Sequence, residues 1–211
     1  MGQRLGRKGA GRAGLAQLAV FIMQEKVLLI LDLDETLIHA TAERIRDDFD
    51  FQVFQYYVYL RPGLATFLTQ CAAHFTLAVW SSASDDYVQA VVKQAFPEHI
   101  TPAFVWARSR CTRFRLAEPD EQGFDSLDYA TSYEFAKRLK KVVRRGFDLK
   151  RTLIVDDTPE KVRQNYGNAI YIKSYMGERD DQELASLANY LLTLKDVENV
   201  RTIEKRNWRQ Q

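Results

Sequence analysis

An apolar run that stops on two carboxylates constrains this chain more than any other feature. Leu28-Leu29-Ile30-Leu31 leads directly into Asp32-Leu33-Asp34-Glu35-Thr36-Leu37. A run of this kind reads as a strand buried on both faces, whose last residues emerge at the open edge of a sheet. Two acids placed there suffer desolvation and mutual repulsion, so something must offset them. A divalent cation that favours hard oxygen ligands, magnesium above all, is the simplest offset. Asp-x-Asp alone also reads as a solvated acidic turn, but the preceding run and Thr36 argue against that. The two-residue spacing sends both carboxylates to one side of an extended chain.

Further apolar runs follow, alternating with helical patterns. Arg61-Pro62-Gly63 breaks the chain, and Leu64, Phe67, Leu68 and Cys71 then recur at helical spacing. Phe75–Trp80 reads as a buried strand ending in Ser81-Ser82-Ala83-Ser84. Asp85–Phe96 reads as a helix with Ser84 as N-cap and Pro97 as its stop. Phe104–Trp106 is a short strand, and Glu118–Gly123 a turn. Ser132–Arg145 reads as a basic-faced helix ended by Gly146. Thr152–Val155 is a third buried strand, ending in Asp156-Asp157, and Thr158-Pro159 opens a helix. Ala169–Ile172 is a fourth, followed by an amphipathic helix over Asp181–Leu194. Such alternation predicts an α/β fold: a doubly wound parallel sheet with helices on both faces. The aromatic and β-branched stretch Phe51–Leu60 reads as a strand outside that alternation.

Asp32-Leu-Asp-Glu-Thr-Leu37 resembles the first motif of the haloacid dehalogenase (HAD) superfamily of aspartate-nucleophile phosphohydrolases. Within it the chain is most similar to the branch of the RNA polymerase II C-terminal-domain phosphatases and the NLI-interacting-factor family. The resemblance implies a HAD-like (Rossmannoid) sheet, a small β flap over residues 38–60, and no large cap domain. It implies that Asp32 is the nucleophile and Asp34 the general acid/base. Ser81 takes the place of the second-motif hydroxyl that holds phosphoryl oxygens, with Ser82 beside it as a further phosphate-binding candidate. Asp156 and Asp157 match the fourth motif. Magnesium would lie between Asp32, the Asp34 carbonyl and Asp157, with Asp156 either a ligand or a partner of the catalytic lysine. The third-motif lysine is Lys137 by local match, while ungapped counting back from Asp156 gives Lys140; residues three apart share a helix face, so periodicity leaves both open. Arg61-Pro62-Gly63 and Asn165-Tyr-Gly-Asn168 also resemble family segments and read as structural. Arg108, Arg110 and Arg113 either meet a phosphoprotein's acidic surface or are simply solvated. Lys141, Arg144 and Arg145 read as a solvated basic face.

Composition bounds the partners. The 211 residues carry a net charge of +2, of which +4 lies in residues 1–22 (Arg4, Arg7, Lys8, Arg12, no acid), leaving −2 for the rest. That balance predicts no direct nucleic-acid binding. Cys71 and Cys111 stand forty residues apart with no metal or redox spacing, which suits buried thiols in a reducing, cytoplasmic setting. His39, His74 and His99 are scattered and form no ligand set. Leu15–Met23 is too short to span a bilayer. Residues 1–22 read as a disordered basic leader or an added tag, with Met23 a plausible start; residues 23–200 form the phosphatase-like domain, and 201–211 a tail.

Two other classes compete with the hydrolase. A non-catalytic interaction module of the same branch would lack the nucleophile or general acid, and both are present. A receiver domain also combines acids with Ser/Thr and Lys, but in another order. A small-molecule phosphatase differs only in substrate. The small flap leaves an open site, which suits a phosphoserine or phosphothreonine segment of a protein better than an enclosed metabolite.

Overall fold

A computed structural model describes residues 26–115 and 133–210; the leader and the turn expected at 118–123 lie outside the described residues. In chain order the strands are β1 (Val27–Leu31), β2 (Ile38–Thr41), β3 (Phe51–Val53), β4 (Tyr56–Leu60), β5 (Phe75–Trp80), β6 (Val105–Trp106), β7 (Thr112–Arg115), β8 (Tyr133–Ala136), β9 (Thr152–Asp156) and β10 (Ala169–Tyr171). The helices are α1 (Leu64–His74), α2 (Asp85–Ala95), α3 (Lys140–Val143), α4 (Pro159–Val162) and α5 (Glu183–Leu194). Five strands form one parallel sheet in the order β10-β9-β1-β5-β6. The chain runs outward from β1 through β5 to β6, then crosses back to β9 on the other side. The carboxyl end of β1 is therefore a topological switch point, where open α/β sheets place their ligand sites.

Every residue of β1 is fully buried, as expected for a central strand covered on both faces. Leu29, Leu31 and Val79 face a core closed by α1, α2 and α5. Leu28, Ile30, Ala78, Trp80 and Ile154 face a smaller core closed by Leu139, Val142 and Val162. Burial of side chains this size contributes about 1.5–3 kcal/mol each. Leu31 pairs with Val155 in β9, so Asp32 and Asp156 stand side by side one step further on. By strand alternation both follow Ile30 and Ile154 toward the second face.

Residues 38–60 form the small flap, a three-stranded antiparallel sheet in the order β2-β4-β3. The stretch expected as one strand over Phe51–Leu60 is a hairpin, folded at Phe54, whose φ of 53° lies in the left-handed region. A second correction matters for the site. The helix expected over Ser132–Arg145 does not form as such: Tyr133–Ala136 is a strand paired antiparallel with β7, and only Lys140–Val143 is helical. Tertiary pairing overrides the helical spacing of the basic residues here.

The Arg61 side chain is fully buried and ties three segments together. Nε and Nη2 donate to Asp181 at 2.8 Å each, Nη1 donates to the Thr36 carbonyl, and Nη2 to that of Lys173. Among the described residues the Asn165 and Asn168 side chains bond to backbone, at Lys137, Leu139, Leu149 and Thr152. Within residues 201–210, Trp208 is buried against Tyr190 and donates its indole N–H to the Tyr171 carbonyl. Cys71 and Cys111 are buried free thiols. Among the described residues no helix is long and apolar enough to cross a membrane.

Candidate active site

Three strand ends and one strand–helix junction converge at the switch point. Asp32 follows β1, Ser81 follows β5, Asp156 ends β9, and Lys137 follows β8 directly. Lys137 is fully buried, with Nζ 2.7 Å from Asp32 Oδ1 and 2.6 Å from Asp156 Oδ2. Its own N–H donates to the Lys161 carbonyl, which fixes the junction under α4. Burial lowers the ammonium pKa, but Asp156 and Asp32 more than offset this and raise it. Lys137 is thus a retained charge. Of the two lysines left open by spacing, it is the one that reaches the acids; Lys140 lies exposed at the start of α3.

Asp32 is almost wholly buried, yet its Oδ2 accepts no hydrogen bond among the described residues. An orphaned buried carboxylate oxygen is costly unless something binds it. Ligand atoms of Asp32, Asp156 and Asp157 lie within 4.8 Å of one another. With Lys137 included, three carboxylates and one ammonium leave two negative charges, which one divalent cation cancels. The all-oxygen donor set suits magnesium. Two of these acids are oriented by neighbours. Asp157 accepts from the Thr158 hydroxyl (3.1 Å) and the Ser174 hydroxyl (2.8 Å). Asp156 Oδ1 accepts the Thr158 N–H at 3.0 Å. Burial raises the Asp156 pKa and Lys137 pulls it back.

The Asp34 carboxylate points away from that cluster. Its Oδ2 accepts from the Ser81 hydroxyl at 3.1 Å, and its Oδ1 from the Tyr87 hydroxyl at 2.8 Å. Burial first, then the Asp32 charge, raise its pKa, and these two hydrogen bonds only partly oppose them. A carboxyl that holds a proton more readily than usual, two residues from a carboxyl group paired with the Lys137 ammonium, can serve as an acid/base beside a nucleophile. The Ser81 hydroxyl also accepts the Ala83 N–H at 2.9 Å. At Ser82 the carbonyl accepts from Arg108 Nε. Glu35, in the left-handed region at φ 57°, has its pKa pushed up to about 7 by burial and by Asp34 and Asp157. It meets His39 Nδ1 at 3.3 Å. Asp34, Glu35, Phe54, Tyr56, Tyr87 and Arg108 line an open cleft of about 390 Å³ under the flap.

Residues 27–201 match the model of the NLI interacting factor-like phosphatase family. The chain belongs to that family. The resemblance drawn from the motifs is therefore borne out, and the parallel α/β sheet with its small flap is the fold it implied. Among curated relatives, a Dictyostelium discoideum protein named "Probable C-terminal domain small phosphatase" is 29% identical over 188 residues, covering 85% of this chain and 55% of that protein. The human "Carboxy-terminal domain RNA polymerase II polypeptide A small phosphatase 1" is 24% identical over 186 residues, covering 85% of this chain and 63% of its own. The chain thus spans little more than half the length of these relatives. A solved structure of Fcp1, described as an essential RNA polymerase II CTD phosphatase, aligns with TM-score 0.48 at 18% identity over 90% of this chain and 56% of that one.

Sequence reasoning missed Tyr87, Thr158 and Ser174 as partners of the acids. Tyr87 sits two residues into α2, and only its position opposite Asp34 distinguishes it from a core aromatic. Thr158 had a visible signal, since a hydroxyl directly after two acids at a helix start is a capping position.

Proposed function

We propose that this chain is a magnesium-dependent phosphomonoester hydrolase that forms an aspartyl-phosphate on Asp32 and acts on phosphoserine or phosphothreonine in protein segments. One observation carries the reading: Asp32 is buried with one oxygen paired with Lys137 and the other without a hydrogen-bond partner among the described residues. A purely structural carboxylate would have both oxygens satisfied.

Asp32 attacks phosphorus in line, forming a new P–O bond as the ester P–O bond breaks. Asp34 gives its proton to the departing alkoxide; burial and the Asp32 charge raise its pKa, which favours the protonated form. As a carboxylate it then takes a proton from the water that attacks phosphorus. This releases inorganic phosphate and restores Asp32. Lys137 stays charged beside Asp32 and, with Ser81, holds the non-bridging oxygens. Asp32, Asp157 and the Asp34 carbonyl would hold magnesium, with Asp156 at its side. When bound, the ion supplies charge neutralisation for an anionic nucleophile meeting an anionic ester. The open cleft and the names of the relatives support a phosphoprotein substrate.

The test is hydrolysis of an aryl phosphate with magnesium, wild type beside Asp32→Asn. Magnesium-dependent turnover that Asp32→Asn abolishes is expected. Equal rates in both proteins, or none in either with any divalent metal, would remove the enzymatic reading. Faster turnover of sugar phosphates or nucleotides than of any phosphopeptide would remove the substrate class.

A further inference from the structure

Ser174 has no part in the chemistry above, yet its hydroxyl donates to Asp157 Oδ2 at 2.8 Å from a segment 17 residues along the chain. The three acids of the cluster are not held alike. Asp32 and Asp156 are buried and share the Lys137 ammonium. Asp157 is only half-buried. Its other bond, from the Thr158 hydroxyl to Oδ1 at 3.1 Å, comes from the adjacent residue. A bond between chain neighbours moves with the helix start that carries both, so it does not fix Asp157 relative to Asp32. Ser174 does, because it is anchored elsewhere.

Residues 173–175 form a strap beyond β10 that is bonded on both sides of Ser174. The Lys173 N–H donates to Glu183 Oε1 at 3.0 Å, and its carbonyl accepts from Arg61 Nη2 at 2.9 Å. The Tyr175 N–H donates to the Glu35 carbonyl at 2.8 Å, and its hydroxyl to the Leu60 carbonyl at 3.0 Å. Tyr175 is fully buried. The strap thus holds Asp157 through Ser174 and, one residue on, the turn that follows Asp34. Both segments carry ligands of the proposed magnesium site. A hydrogen-bonded partner behind a metal ligand fixes its orientation, and losing it lowers metal affinity about 10–100-fold. Magnesium demands near-ideal octahedral geometry, while calcium accepts about six to eight oxygens in a flexible shell. Rigid aiming of a ligand therefore favours magnesium more than calcium.

We infer that Ser174 is a positioning residue that aims Asp157 and so sets both the magnesium affinity of the site and its preference for magnesium over calcium. The inference rests on the proposed function for its ion, and its test reads ion binding without turnover. Binding of manganese, a spectroscopic stand-in for magnesium, is followed by electron paramagnetic resonance of the free ion, and MgCl2 or CaCl2 is added in competition. Asp157→Ala should weaken manganese binding, which locates the ion. Ser174→Ala should lower the magnesium affinity about tenfold and the calcium affinity by less than about threefold. Tyr175→Phe cuts the strap's bond to Leu60 and keeps the Ser174 hydroxyl, so it should bind both ions as wild type does. In EDTA, Ser174→Ala should melt within about 4 °C of wild type. An unchanged magnesium affinity in Ser174→Ala, an equal loss for both ions, or the same loss in Tyr175→Phe would overturn the inference. A larger fall of the EDTA melt would also overturn it, by making the role of Ser174 structural. So would manganese binding that wild type lacks or that Asp157→Ala leaves intact. Selective ion binding that follows Ser174, with no aryl phosphate turnover in wild type, would instead overturn the hydrolase reading alone.

Discussion

Replacing Lys137 by methionine removes the ammonium that pairs with Asp32 and Asp156 in a buried cluster of acids and keeps its stem. Lys137 lies 2.7 Å from Asp32 and 2.6 Å from Asp156, and all three residues are almost wholly excluded from water. Breaking a buried ion pair by deleting one partner costs about 3–5 kcal/mol, because the remaining charge is left uncompensated. For a domain of this size each kcal/mol lowers the melting temperature by about 2–4 °C, so a fall of roughly 6–20 °C is expected. The sign of the pH dependence follows from the raised pKa of Lys137. Its contribution is fully present below the unfolded value, about 10.4, and is lost only as pH rises through the still higher folded value. Lys137 itself therefore adds no pH dependence between about pH 7 and 9; in the variant the Asp156 pKa, no longer pulled back by Lys137, rises further, so the deficit should widen as pH rises through it. Added magnesium should narrow it, since a divalent cation offsets the same carboxylates. Differential scanning fluorimetry with and without magnesium measures all of this. A variant melting within about 2 °C of wild type would refute the view that Lys137 balances charged Asp32 and Asp156.

Other outcomes follow from the same geometry. Tyr87→Phe deletes a donor to Asp34 that favours its charged form. The Asp34 pKa should then rise further, moving the matching limb of the pH–rate profile upward; an unmoved limb would contradict Asp34 as acid/base. Burial raises the Asp181 pKa, but the hydrogen bonds from Arg61 outweigh this and lower it. The stability they confer is present above about pH 3.9 and lost as pH falls through the lower folded value. Arg61→Met should cost about 3–5 kcal/mol at pH 7, with the gap to wild type shrinking below pH 4 in urea melts. Trp208→Ala should cost about 3–5 kcal/mol, because Trp208 is buried, stacked on Tyr190 and bonded to Tyr171; a change below 1 kcal/mol would mean that residues 201–210 are not part of the packed domain.

The parts of the fold legible in the sequence are those decided locally. Leu28–Leu31, Phe75–Trp80 and Thr152–Val155 are continuous apolar runs, and each is a central strand ending at the site. Asp32, Ser81, Asp156 and Asp157 are visible because each directly follows or ends such a run. What depends on distant pairing was hidden. Tyr133–Ala136 is a strand because β7 pairs with it, and nothing in its four residues excludes the helix suggested by the cations after it. That pairing also delivers Lys137 to Asp32 and Asp156 and leaves Lys140 at the surface. Arg110 and Arg145 lie 35 positions apart and come together only through Trp106. Trp208 reads as part of a polar tail until its ring is seen against α5.

The most direct test of the account is where phosphorus goes during turnover. Wild-type protein mixed with an aryl phosphate and magnesium, quenched in acid within one turnover and digested, is examined by peptide mass spectrometry. The account predicts a phosphoryl group on the peptide containing Asp32, absent from Asp32→Asn protein and from magnesium-free samples. Turnover with a phosphoryl group on Ser81, or with none on any residue, would contradict Asp32 as the nucleophile.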